Sequence, residues 1–305
     1  MRSSRCSAAR PRQPRRSELA TSLDRGSAVS GSAATPTKSS APSRLTAWLR
    51  DAAPPALVFI GFIALWQIAC TFFNVPRFLL PSPYDIAEAW WENQPGLTNS
   101  LISTFLAALA GFAGAIVVGM SVALLMSQSK LIERCIFPYA VLLQTIPIVA
   151  IAPLIVIWLG AGAPAVIAIS FLISLFPIIT NTTAGLLSTD HNLVAMFELY
   201  NASWWQRMVK LKFPAALPYI MTGLRISSGL AVIGAIVGEF IAGIGGRGGG
   251  IGFVITEAAG RLRMPYLFAA ALTSSLLGIA IFIMVSYASA RFLRHWHESA
   301  VRREL

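Results

Sequence analysis

Apolar residues fall into six long runs separated by short polar segments: Ala56–Val75, Leu101–Ser127, Ile136–Leu159, Ala165–Leu187, Leu217–Ile244 and Tyr266–Phe292. A helix needs about 20 apolar residues to cross the hydrocarbon core of a bilayer, and each run is near or above that length. A membrane β-barrel would instead show segments of about ten residues that alternate in hydrophobicity, so the runs predict helices. The third and fourth runs hold Pro138, Pro147, Pro153 and Pro177. In a membrane bundle neighbouring helices satisfy the carbonyls that proline frees, so these positions predict kinks rather than ends. The pattern predicts an all-α integral membrane protein with about six transmembrane helices.

One connection is too long to be a simple turn. Residues 188–216 read STDHNLVAMFELYNASWWQRMVKLKFPAA. Leu193, Met196, Phe197 and Tyr200 recur at i, i+3, i+4 and i+7, one face of a helix. Thr189 or Asp190 caps its start. Asn201 stands where a helix ends in a left-handed residue, a place that Asn takes after Gly. Ser203 with Gln206 has the spacing of a capping box, which opens a second helix with Trp204, Met208 and Leu211 on one side. Pro214 and Pro218 are expected to end that helix before the fifth run. An exposed apolar face on such a pair either lies on lipid or docks a soluble partner.

Composition agrees with a membrane protein: 55% of residues are apolar and 12% charged, against roughly 25% charged in a typical soluble domain. The net charge of +11 is uneven. With the N-terminus in the cytoplasm, nineteen of the twenty-four Lys and Arg fall on inner segments, and only Arg77, Arg247, Arg261 and Arg263 on outer ones. Basic residues favour the inner side, so both termini are expected there. Pro76–Asn99 then lies outside, with Trp90-Trp91 as an interfacial anchor. Residues 1–50 carry nine Arg and one Lys against Glu18 and Asp24. This basic stretch reads as a solvated, disordered cytoplasmic tail. A lipid-touching arm, a transit peptide and an overextended reading frame are the other readings of it.

No chemistry-bearing cluster stands out. Cys6, Cys70 and Cys135 are far apart, without metal spacing. His191, His295 and His297 lie on inner segments and read as solvated. None of the four Lys follows a Gly, so a Gly-Lys-Ser/Thr phosphate loop is missing from the sequence. The glycine-rich stretch 243–252 follows no strand; it reads as a sharp outer return, with Ile251–Ala259 as a short outer helix. Polar groups inside the spans are the functional candidates. Gln144 and Thr145 sit beside Pro147, and Asn181 lies in a Thr-Asn-Thr-Thr run. Glu239 lies near the outer end of the fifth run, either lining a path or pairing with Arg247 or Arg261. Arg225 reads as snorkelling to the inner headgroups.

The loop resembles that of the inner membrane permeases of bacterial ATP-binding-cassette importers. Their pattern is Glu-Ala-Ala, three residues, Gly, nine residues, then Ile-x-Leu-Pro. With the Gly on Asn201, Leu211-Lys212-Phe213-Pro214 fits the ending. Ala195-Met196-Phe197 departs from Glu-Ala-Ala, and the nearest Glu is Glu198. Leu80-Pro81-Ser82-Pro83, Ile151-Ala152-Pro153-Leu154, Trp158-Leu159-Gly160, Asn201-Ala202-Ser203, Leu217-Pro218-Tyr219-Ile220, Gly223-Leu224-Arg225 and Gly238-Glu239-Phe240 are similar to the nitrate/sulfonate/taurine branch. The resemblance covers about residues 55–295 and implies a permease domain there, with a cytoplasmic coupling loop at 188–216.

It implies a multi-pass subunit of the bacterial inner membrane that hydrolyses nothing itself. ATP and Mg would bind to separate ATPase subunits, with no cofactor in this chain. The implied partners are those ATPase subunits, a second permease copy in a homodimer, an extracytoplasmic solute-binding protein and membrane lipid, with no nucleic acid. Leu193, Ala195, Met196, Phe197, Glu198, Tyr200, Asn201, Ala202, Ser203, Leu211 and Pro214 would then couple to the ATPase. Gln144, Thr145, Asn181 and Glu239 would line the path. The substrate class implied is a small anion such as nitrate or a sulfonate, or a vitamin precursor such as a pyrimidine or riboflavin. An ion-coupled transporter acting alone is the alternative, and a membrane enzyme is a third, disfavoured by the lack of a catalytic cluster.

Overall fold

A computed structural model describes residues 44–242 and 249–301, with backbone alone for 44–52, 55 and 294–301. The chain falls into two units, Met1–Ala56 and Leu57–Leu305. Of the first, the described part is the start of helix α1; most of the expected basic tail and Arg247 lie outside the described residues. The described residues form helices only: α1 (Arg44–Phe72), α2 (Pro83–Glu92), α3 (Gln94–Met126), α4 (Lys130–Thr145), α5 (Ile148–Leu159), α6 (Ala163–Leu187), α7 (His191–Leu199), α8 (Trp204–Arg207), α9 (Phe213–Ala242), α10 (Ile251–Gly260) and α11 (Met264–Val301).

Four stretches are long and apolar enough to cross a membrane: Gln94–Met126, Ala163–Leu187, Trp204–Ala242 and Met264–Leu293. The third sequence run passes the same test only as a bent pair, which is either a broken span or a re-entrant loop. It forms α4 and α5, bent by 97°. Pro147 is the break: Ile146 before it is extended at ψ 123°, whereas Pro138 and Pro153 stay inside their helices. Proline disfavours the α region in the residue before it. The first run ends as predicted, near Asn74, but its apolar helix Ala56–Phe72 is short.

The segment 76–99 holds α2, opened by a capping box between Ser82 and Asp85 with Pro83 at its first position, and α3 begins already at Gln94. One further expectation is corrected. Pro214 and Pro218 do not end the second loop helix. Helix runs from Trp204 to Ala242 through a π-helical turn at Met208–Lys212. There the Phe213 amide donates to the Met208 carbonyl, and the wider turn relieves the clash of the Pro214 ring with the carbonyl four residues before it.

The core is three helices, α3, α6 and α9, with α6 packed along both others. Apolar surface gains little by leaving lipid for protein, so such helices associate through close backbone approach and hydrogen bonds. Both are seen around Ser170. Its hydroxyl donates to the Ala231 carbonyl at 2.8 Å, and Ser227 donates to the Ser174 carbonyl at 2.7 Å. A Cβ on Gly111 would stand 2.6 Å from the Ser170 hydroxyl, and one on Gly234 2.7 Å from the Ser170 Cα. Bulkier residues at either position would force α3 or α9 away from α6. Helices α4, α5, α10 and α11 each pack against members of this trio, and α10 and α2 both lie against α11.

Candidate functional site

Two places concentrate features that packing alone does not explain. The first is the α7–α8 hairpin. Asp190, not Thr189, caps α7, its carboxylate accepting from the Asn192 amide at 2.9 Å. The helix stops as the sequence predicts: Asn201 is left-handed at φ 49°. Its amide donates to the Glu198 carbonyl, and the Ala202 amide to the Phe197 carbonyl, both at 2.9 Å. This is the two-bond ending that satisfies the last carbonyls of a helix. The Ser203–Gln206 capping box then starts α8, with both reciprocal bonds made. Glu198 ties the hairpin shut by accepting from Arg207 at 2.7 Å.

The hairpin leaves an apolar face uncovered. Leu193 and Met196 are 43% and 44% exposed, Leu199 and Tyr200 84% and 81%. Phe197 is half-buried, and Leu199, which the periodic face did not include, is exposed. Ala195 is exposed, Ala202 half-buried. Of the second helix, Met208 is buried and anchors against Leu186, Ala216 and Ile220. Leu211 is half-buried beside a cavity of about 190 Å³ whose other walls include Ser127, Gln128, Val194 and Arg207. Pro214 lies within the continuing helix rather than at a loop end. The second arm of the hairpin is therefore the start of the fifth span, and α7 is joined to it by the turn at Asn201.

The second place is the far end of α9. Glu239 is 4% exposed. Its Oε2 accepts from the Thr104 hydroxyl on α3 at 3.0 Å and from the Gly252 amide of α10 at 2.8 Å. The expected pairing with Arg261 does not occur, because Arg261 binds Glu257 one turn before it at 2.8 Å. Glu239 also borders a cavity of about 710 Å³, whose walls are otherwise mostly alkyl, from Leu106, Ala107, Val166 and Ile167.

The four path candidates are not brought together. Gln144 and Thr145 border a separate cavity of about 380 Å³ at the α4–α5 bend, with Phe176 and Pro177. Asn181 donates its side-chain amide to the Pro177 carbonyl at 2.8 Å and packs against Gly223. Arg225 is half-buried, without an ion pair among the described residues, and its Nε has no hydrogen-bond partner. Thr104 was missed by sequence reading. A lone Thr in an apolar run carries no signal until the fold sets it against Glu239. Among the described residues no group of His, Cys, Asp and Glu is arranged to hold a metal ion.

Long apolar helices packed as a bundle, with an exposed helical hairpin whose second arm continues into one of them, are the architecture of a multi-pass membrane protein. The chain belongs to the family of binding-protein-dependent transport system inner membrane components, whose model matches residues 115–303. It is 35% identical over 236 residues to the formylaminopyrimidine transport permease protein ThiX of Halalkalibacterium halodurans, covering 77% of this chain and 92% of that one. It is 31% identical over 239 residues to the riboflavin transport system permease protein RibX of Chloroflexus aurantiacus, covering 78% and 87%. The fold is that of a solved amino acid ABC transporter chain: the TM-score is 0.53 at 17% identity, over 66% of this chain and 95% of that one.

Proposed function

We propose that this multi-pass permease subunit of an ATP-binding-cassette importer couples to separate ATPase subunits through the α7–α8 hairpin. The observation that carries the reading is the exposed apolar face of Leu193, Met196, Leu199 and Tyr200 on α7, joined by a capped turn to the start of the 39-residue helix Trp204–Ala242. A tilt imposed on α7 by a partner is transmitted along that helix, because α8, the π turn and α9 are one rod. Asn201 and the Ser203 cap fix the angle between α7 and the rod; Glu198 and Arg207 lock it. ATP and Mg bind in the partner, not in this chain.

The same reading puts α7 and both termini in the cytoplasm, in line with the distribution of Lys and Arg. A solute-binding protein delivers substrate on the opposite side, and a second copy of the permease completes the path. We favour a vitamin-precursor heterocycle over an inorganic anion as the substrate, since the names of the two relatives above refer to formylaminopyrimidine and riboflavin. The test is uptake into proteoliposomes holding the permease with its cognate ATPase, and the binding protein inside the assay. ATP-dependent accumulation of a labelled aminopyrimidine or flavin, unaffected by excess nitrate, supports the reading. Uptake by the permease alone, driven by an ion gradient, would establish the secondary transporter instead.

A further inference from the structure

The amino end of α10 is served from outside its own segment. A helix leaves its first amides without partners inside the helix. A side chain at the N-cap position usually accepts from one of them. Here that position is Gly250, which has no side chain to offer. Two other helices supply the acceptors. The Ile251 amide donates to the Thr104 hydroxyl of α3 at 2.8 Å, and the Gly252 amide to Glu239 Oε2 of α9 at 2.8 Å. The Thr104 hydroxyl, with its single proton, lies 3.0 Å from that same oxygen and 3.0 Å from the Ser100 carbonyl of its own helix, and donates to one or shares between both. Three helices thus meet at one carboxylate oxygen.

The surroundings are shaped for this contact. Thr104 and Ile251 are fully buried. A Cβ on Gly250 would overlap the Glu239 carboxylate, and one on Gly252 would stand 2.6 Å from the Ile236 carbonyl and 2.8 Å from the Glu239 Cβ. Removing a carboxylate from water within an apolar bundle is costly unless hydrogen-bond donors and positive potential replace the lost solvation. The α10 amino end supplies both, since aligned peptide dipoles leave partial positive charge there. Glu239 and Gly250 also border the 710 Å³ cavity, so the seat of α10 is part of the wall of that cavity.

We propose that Glu239 and Thr104 are positioning residues that clasp α10 to α3 and α9 and thereby set the shape of the cavity into which solute is delivered. The clasp rests on geometry alone. Delivery of solute into this cavity follows from the proposed function, in which this end of the bundle faces the binding protein. Glu239→Gln keeps an acceptor oxygen, and Thr104→Ser keeps the hydroxyl. Glu239→Ala and Thr104→Val remove them, and Gly250→Ala expels the carboxylate by crowding.

The experiment is a distance distribution between spin labels at Thr98 on α3 and Ala259 on α10, both exposed. It is measured in the permease–ATPase complex in lipid nanodiscs, with the native cysteines replaced. Wild type, Thr104→Ser and Glu239→Gln should give one narrow distance. Glu239→Ala, Thr104→Val and Gly250→Ala should broaden or shift it, and Glu239→Ala with Thr104→Val should be no broader than the worse single variant, as expected of residues that act as one unit. Transport should then show a several-fold rise in the half-saturating concentration of loaded binding protein, larger than the fall in maximal rate. A wild-type distance in Glu239→Ala, or additive broadening in the double variant, overturns the clasp. A reporter fused at residue 255 that signals the cytoplasm overturns the delivery side, leaving the distances to judge the clasp separately.

Discussion

At the scale of single residues, the left-handed positions show what a sequence discloses. Asn74 and Asn201 stand at φ 47° and 49°. Asn tolerates that region because its short polar side chain bonds locally, so the stop at Asn201 was legible. Leu262 stands at φ 54° after α10, and nothing about Leu announces it. Its conformation is imposed by two bonds, from its own amide to the Ala259 carbonyl at 3.1 Å and from the Arg263 amide to the Ala258 carbonyl at 2.9 Å. A side chain beyond glycine costs about 1–2 kcal/mol in that conformation. Leu262→Asn should therefore raise stability by up to about 1 kcal/mol, read as a higher unfolding midpoint of the purified permease in detergent; an unchanged or lower midpoint would contradict the strain. Asn201→Gly should leave transport intact, because Gly adopts positive φ without steric cost. Asn201→Val should reduce ATPase association about tenfold, the effect of roughly 1.4 kcal/mol, since a β-branched residue resists this turn. Pull-down at graded ATPase concentration measures it, and equal binding of Val and Asn forms would remove Asn201 from the coupling surface.

At the scale of elements, the prolines separate what was legible from what was not. Apolar length located the spans but gave no sign of which proline would break one. The residue before each proline does. Phe137, Ala152, Phe176, Phe213 and Leu217 precede prolines that stay inside helices, whereas the β-branched Ile146 precedes the one at the 97° bend. β-branched side chains disfavour the helix slightly by themselves, and the following ring adds to it. The continuation of α8 into α9 was hidden for a related reason: Pro214 reads as a stop unless the turn before it widens, and a π turn leaves no residue pattern behind. That turn sets the rotation of the hairpin about the rod. Inserting one alanine after Gln206, ahead of the π turn, should lengthen the regular helix by one residue and rotate α7 by about 100°, the angle per residue of a helix with 3.6 per turn. The variant should insert normally and lose ATP-dependent uptake by at least tenfold. Full uptake by this insertion variant would show that the phase of the rod does not matter.

At the scale of the whole molecule, charge and hydropathy carried the class, since both are summed over the chain and do not depend on any contact. The candidate path was poorly legible, because Gln144, Asn181 and Glu239 are polar for different local reasons and end up in different places. The α7–α8 hairpin was legible because its caps and its periodicity are local. The proposed orientation rests on the Lys and Arg distribution, and it predicts that reporters at residue 200 and at the C-terminus signal the cytoplasm and one at residue 90 the outside. The central claim is that the exposed face of α7 is where the ATPase docks, and the most direct measurement is the ratio of ATPase to permease recovered after gentle solubilisation of membranes. Met196→Asp places a charge where an apolar interface must close, which costs several kcal/mol and should lower the ratio by more than tenfold while the amount of permease in the membrane stays as in wild type. A ratio equal to wild type, with equal transport, would contradict the claim and leave α7 as a helix lying on lipid.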